Sequence, residues 1–166
     1  MMRFDSRLVF LLVAGLSIAT AGIYFLLSLD ETALPGQPTD SDPVSGAALY
    51  SEYCASCHGT ELQGEPDWRS TKADGRLPAP PHDEFGHTWH HGDNLLFSYT
   101  KLGGQAALEA SGVSGFVSGM PGFADQLTDE EIWNVLAFIK SSWPDRIREM
   151  QSERTKGENS AAGAQN

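Results

Sequence analysis

Cysteine occurs only twice in the 166 residues, at Cys54 and Cys57, and a histidine follows the second directly. The run Cys54-Ala55-Ser56-Cys57-His58 puts two thiols three residues apart with an imidazole beside them. A C-x-x-C-H run of this kind can add both sulfurs across the two vinyl groups of haem and offer a nitrogen to the iron. Two other chemistries use a C-x-x-C pair. A thioredoxin-like dithiol requires a βαβ setting, and no period-2 strand pattern of useful length is found here. Half of a zinc site requires a second Cys or His pair at suitable spacing. Covalent haem is the reading that uses all three residues in their order, with Cys54 and Cys57 as attachment points and His58 as one axial ligand.

The opposite axial position can take a methionine, a histidine or nothing. Of four methionines, Met1 and Met2 precede the apolar N-terminal run and Met150 lies in a polar C-terminal stretch, which leaves Met120. It stands in Gly119-Met120-Pro121-Gly122-Phe123, where Gly and Pro set an extended loop able to lay a thioether over the distal haem face. Ligation by His58 and Met120 raises the reduction potential and leaves no open position for substrate. That arrangement favours electron transfer over catalysis, with no catalytic residue and no small-molecule substrate. A histidine displacing Met120 would lower the potential instead.

Elements must carry these residues. Apolar positions Ala47, Leu49, Tyr50 and Tyr53 mark a helix from Val44 to Cys54 that runs into the cysteine pair. A second covers Asp93 to Leu102, with Leu95, Leu96 and Tyr99 on one face and Gly103-Gly104 as its stop. The third is LTDEEIWNVLAFIKSSW, with Thr128 as cap, Glu131 as its capping-box partner, and Ile132, Val135, Leu136 and Ile139 as its apolar face. The expected fold class is therefore all-α, with long Gly- and Pro-rich connections and no internal repeat.

Residues 8–29 form an uncharged apolar run long enough to span a bilayer. Arg3 and Arg7 precede it and Asp30 and Glu31 follow, which places the N-terminus in the cytoplasm and the remainder outside. A cleaved signal ending at Ala19-Thr20-Ala21 is the competing reading, but Ile23-Tyr24-Phe25-Leu26-Leu27 extends the run past that site. The expected organisation is an anchor over 1–29, a flexible acidic linker over 30–43, a folded domain over 44–143 and a polar, disordered or frayed-helical tail over 144–166. The chain carries 11 Lys+Arg against 22 Asp+Glu, a formal net charge of −11. Such a surface excludes nucleic-acid binding and suits a basic partner.

Between Gly64 and Asp93 lies a long stretch rich in His and Trp. His82, His87, His90 and His91 could hold a second metal such as copper. Their spacing fixes no regular ligand geometry, and Asp67, Asp74, Asp83 and Asp93 are potential partners for them. Trp68, Arg69, Trp89 and His90 or His91 could instead cover a haem edge, pair with propionates or form a docking surface.

CASCH, the Gly-Met-Pro loop and LTDEEIWNVLAFIKS together resemble the class I c-type cytochromes, over nearly all of 44–143. The PAPP-to-His segment is similar to that of membrane-attached bacterial members. The resemblance implies a small helical class I cytochrome c fold around one covalent haem c, with its first and last helices crossing through Gly46, Tyr50 and Trp133. It also implies a proline whose carbonyl accepts a hydrogen bond from the proximal imidazole; within Pro78-Ala79-Pro80-Pro81 the choice falls on Pro80. The expected function is a single-pass inner-membrane monohaem cytochrome, its haem domain in the periplasm, carrying electrons between redox protein partners. Alternatives of other classes are a haem enzyme or gas or peroxide sensor with a labile Met120, and a copper-handling assembly factor using the His-rich stretch.

Overall fold

Two helices meet here at the closest approach that backbones allow. The computed structural model describes residues 36–115 and 117–163. Helix α1, Pro43–Tyr53, starts behind Asp42, whose side chain accepts from Val44 N, with Pro43 in the first turn, where its missing N–H costs nothing. It crosses helix α5, Asp129–Ser141, at Gly46. A Cβ there would lie 1.9 Å from the Asn134 carbonyl oxygen. Only hydrogen fits at that point, and Asn134 also accepts from Asp42 N at 2.7 Å through its side-chain oxygen. One turn further along both helices Tyr50 packs against Phe138 with ring centroids 5.3 Å apart.

Helix α5 begins with the capping box expected of Thr128 and Glu131. Thr128 N donates to Glu131 Oε2 at 2.8 Å and Glu131 N donates to Thr128 Oγ1 at 3.3 Å. Its Ile132, Trp133, Val135, Leu136 and Ile139 are all buried. Helix α3, Asp93–Leu102, takes the bounds that its pattern predicts and stacks Phe97 on Trp133 at 4.5 Å. Two short elements were not legible in the pattern: α2, Ala55–His58, and α4, Gly104–Ala110. Gly103 does end α3, at φ +87, but Gly104 opens α4 directly instead of extending the stop. A 3-10 turn covers Thr88–His90. Among the described residues there is no strand, only an isolated bridge between Arg76 and Val117, so the described chain is all-α. No described helix is long and apolar enough to cross a membrane. The anchor expected over 1–29 lies outside the described residues.

Both flanks of the domain are bonded to it. Of the linker, residues 36–42 are not a free tether: Gln37 N donates to Asp93 Oδ2 at 3.1 Å, and Asp42 is held by Asn134. The tail, expected as either a frayed helix or disorder, is a 19-residue helix, α6, Asp145–Gly163. It lacks a broad apolar face: Ile147 packs against the core, and the rest of the helix docks through polar atoms. Gln151, 3% exposed, donates to Asp93 Oδ1 at 2.7 Å and to the His91 carbonyl at 3.2 Å. Thr155 accepts from Asp93 N, and Glu158 accepts from Asn94 N. These last two satisfy N–H groups at the start of α3 that would otherwise have no helical partner. Asp93 is also ion-paired to Lys140 of α5. One carboxylate thus joins four segments.

Candidate functional site

Chain geometry around the cysteines follows from a break between two helices. Cys54 closes α1, its N–H still bonded to the Tyr50 carbonyl at 2.9 Å, and its own carbonyl accepts from His58 N at 3.0 Å. That places Cys54, Cys57 and His58 around a single turn. Gly59 ends the turn at φ +81, a conformation that side-chain-bearing residues rarely adopt, and its carbonyl accepts from the Tyr50 hydroxyl at 3.1 Å. Neither cysteine is in a disulfide, and Cys54 is buried while Cys57 is exposed. Burial, with the adjacent Cys57 adding to it, pushes the Cys54 thiol up to about 11.

His58 is 7% exposed, and its Nδ1 lies 2.8 Å from the Pro80 carbonyl oxygen. A carbonyl can only accept, so Nδ1 carries the proton and Nε2 keeps its lone pair. No described group hydrogen-bonds that Nε2. Burial lowers the imidazole's pKa, partly opposed by the Pro80 carbonyl and by the charge of Glu65. The result is a neutral, oriented nitrogen donor.

Pro80 reaches this position because residues 79–82 are stitched to 62–65. Glu65 N donates to the Ala79 carbonyl at 2.9 Å, His82 N to the Leu62 carbonyl at 2.7 Å, and Ala79 N to Glu65 Oε2 at 2.7 Å. Gly64, at φ +68, lets the two strands of chain touch; a Cβ there would sit 2.5 Å from Pro81 N and 2.7 Å from Pro80 C. His82 has a role that residue type alone did not reveal. Its ring stacks on His58 with centroids 4.0 Å apart, its Nδ1 lies 2.6 Å from Thr88 Oγ1, and its carbonyl accepts from buried Trp143 Nε1 at 2.7 Å. It braces the His58 imidazole from the side.

Met120 is half-buried on a loop pinned to the α3–α4 junction. Gly104 N donates to the Met120 carbonyl at 3.1 Å, Phe123 N to the Thr100 carbonyl at 3.1 Å, and Met120 N to Ser118 Oγ at 3.3 Å. Gly103 and Gly122 make the approach possible: a Cβ on the first would meet Gly122 N at 2.7 Å, and on the second Leu102 C at 2.7 Å. Phe123 then packs edge-on against Tyr53 of α1, centroids 6.2 Å apart. The methionine loop and the cysteine turn are thereby tied to the same helix.

His87, His90 and His91 form a group of their own around the 3-10 turn. His87 and His91 bring their Nε2 atoms 3.0 Å apart, while His90 stacks on Trp89 at 3.7 Å. Three of the four aspartates expected to partner these histidines are engaged elsewhere: Asp74 with Arg76, Asp93 with Lys140, and Asp83 with Phe85 N. Among the described residues no three His, Cys, Asp or Glu side chains converge as a metal-binding group. Arg69 lies over the Trp68 ring, 4.0 Å from its centroid.

Two cysteines on one turn, a buried neutral imidazole with Nε2 unspent, and a glycine-hinged methionine loop fit the donor set of a covalently attached haem. Residues 41–139 match the family described as "Cytochrome C oxidase, cbb3-type, subunit III". The chain is also 34% identical over 102 residues to a protein named thiosulfate dehydrogenase from Allochromatium vinosum, covering 60% of this chain and 31% of that protein. It thus spans about a third of that relative's length. The family match takes in α1, the cysteine turn, the Pro80 loop, the Met120 loop and most of α5, and the chain belongs to this family of c-type cytochromes.

Proposed function

We propose that the protein is a single-haem electron carrier, held at the periplasmic face of the inner membrane by its N-terminal segment, that passes electrons between redox proteins. Cys54 and Cys57 would hold haem c through thioethers, and His58 and Met120 would bind the iron. Bound there, haem c supplies a one-electron Fe(III)/Fe(II) couple. The chain's own contribution is positional. The Pro80 carbonyl holds the proton on Nδ1 and fixes the ring plane, which makes Nε2 the better donor. The stitched 62–65 and 79–82 segments keep that carbonyl from following solvent. The Met120 loop, pinned at Gly103, Gly104 and Gly122, presents a thioether without large rearrangement on change of redox state.

The observation that carries this reading is the 2.8 Å contact from His58 Nδ1 to the Pro80 oxygen next to two unpaired cysteines. Its test is the visible spectrum of the solubilised protein, oxidised, reduced, and reduced with carbon monoxide. The expected result is a c-type α band, a weak near-red band from methionine on ferric iron, and no response to carbon monoxide. A prompt carbon monoxide shift would make the protein a sensor or enzyme instead of a carrier.

A second reading, favoured by the relative named thiosulfate dehydrogenase, makes the domain the electron-accepting part of an oxidoreductase. Thiosulfate added to the purified oxidised chain distinguishes the two. Direct reduction would assign the oxidation step to this chain, and reduction only in the presence of a partner would leave it a carrier.

A further inference from the structure

His87 and His91 have no part in the proposed electron transfer, and the partners of the His58 ring are Pro80 and His82 instead. They are four residues apart across the 3-10 turn, with Nε2 atoms 3.0 Å from each other. Without a metal, one of the two donates an N–H to the other's lone pair. Nitrogens at that separation also match two adjacent ligands of one ion. With bonds of about 2.0–2.1 Å, a 3.0 Å separation corresponds to an N–metal–N angle of about 95°. That angle is the adjacent-ligand angle of a square-planar or tetragonal site and is well short of tetrahedral. Imidazole donors in such a geometry select copper(II), which also stands at the top of the divalent affinity order.

The geometry points to His87 and His91 as a two-histidine copper(II) site on the surface of the domain, separate from the haem ligands, with water in the remaining positions. Binding requires the donating ring to move its proton from Nε2 to Nδ1, with no net change in protonation, and a small rotation of each ring toward the shared ion. Both ligands are already held by their backbones. His87 N donates to the Pro81 carbonyl, and His91 N to the Thr88 carbonyl at 3.1 Å. The His91 carbonyl accepts from Gln151 of α6. The docked C-terminal helix therefore fixes one half of the pair. His87 is exposed and His91 half-buried, so the ion has access from solvent.

The surroundings argue against hard cations. Among the described residues no carboxylate joins the pair, and the charges of Arg69 and Arg154 reach His87 and His91 respectively. Calcium or magnesium, which depend on oxygen ligands and charge, gain nothing here. Copper(II) gains the two nitrogen bonds, which are covalent in character and least sensitive to neighbouring positive charge. His90, stacked flat on Trp89, is not a ligand.

The test uses untagged, haem-loaded full-length protein in its oxidised form, titrated with copper(II) against a competing chelator and followed by electron paramagnetic resonance. The expected result is one copper(II) per chain with an axial spectrum split by two nitrogens. His87→Ala and His91→Ala should each weaken binding at least tenfold, and His90→Ala should leave it within twofold. The haem α band, unchanged in all three variants, reports that the fold is kept. Failure to retain copper(II), or an affinity that neither His87→Ala nor His91→Ala moves, overturns the assignment. Neither outcome touches the carrier reading, which is judged by the haem spectrum alone.

Discussion

At the scale of single residues, the proposed function rests on one nitrogen being aimed and one sulfur being presented. Met120→Ala removes the thioether while sparing the backbone bonds that pin its loop. The near-red band should vanish, and the reduced protein should then bind carbon monoxide at the vacated position. Persistence of that band would move the distal ligand away from Met120. Gly64→Ala acts on the other side. Its Cβ would press on Pro80 and Pro81 from 2.5–2.7 Å, at a φ of +68, so the carbonyl behind His58 must shift. Strain of this kind costs about 1–3 kcal/mol. The expected outcome is a lower melting temperature together with a shifted haem reduction potential; a destabilised protein with an unaltered potential would uncouple Pro80 from the imidazole. The cysteine-histidine run was legible from sequence because its chemistry is local. Which carbonyl of Pro78-Ala79-Pro80-Pro81 lies beside His58 depends on the pairing of 62–65 with 79–82, and that pairing leaves no local pattern. The bracing role of His82 was hidden for the same reason, because its partners His58, Thr88 and Trp143 are spread over 86 positions of the chain.

Among the elements, the crossing of α1 on α5 and the docking of α6 are held by different physics. The crossing is a matter of space, since Gly46→Ala would drive a methyl group to within 1.9 Å of the Asn134 oxygen. Overpacking against backbone costs about 1–3 kcal/mol or more, and thermal unfolding monitored at the haem band should fall accordingly. The docking of α6 is electrostatic. Burial pushes the Asp93 carboxyl up, but Lys140, Gln151 and the Gln37 N–H outweigh it and hold the pKa below the ordinary 3.8. A carboxylate with a depressed folded-state pKa contributes stability that is complete above its unfolded value and disappears as pH falls through the folded one. The α6 contacts should therefore survive at pH 5 and weaken below about pH 4, as amide exchange in residues 145–163 would register. Asp93→Asn, which leaves half-buried Lys140 without its counter-charge, should cost about 1–3 kcal/mol at pH 7. If exchange in α6 were unaffected by that change, the helix would be held by something other than Asp93. This difference also explains what the sequence disclosed of the elements. Helices α1, α3 and α5 bury apolar stripes, so their periodicity announces them, and Thr128 with Glu131 marks the start of α5. Helix α6 docks through Gln151, Thr155 and Glu158, residue types that read equally well as solvated tail.

For the whole molecule, the decisive quantity is the field that the domain presents to a partner. Residues 44–143 contain five Lys+Arg against 13 Asp+Glu, and four of those five cations are already committed: Lys72 to Glu65, Arg76 to Asp74, Lys101 to Asp129 and Lys140 to Asp93. Pairing of this kind neutralises as many acids as bases, so the carboxylates left over set the sign of the potential at a distance. A basic redox partner would be drawn in and oriented before contact, which raises the association rate without requiring tight binding. The attraction reaches about 10 Å at 0.1 M salt and about 3 Å at 1 M. Stopped-flow reduction by a small basic electron donor should therefore slow by about tenfold or more between low and high ionic strength. An acidic donor of matched potential should show the opposite slope, because screening relieves repulsion. Rates flat in salt for both donors would leave the charge imbalance with no part in docking and would assign partner choice to uncharged contacts. Opposite slopes would tie the acidity written along the sequence to the direction in which electrons are delivered.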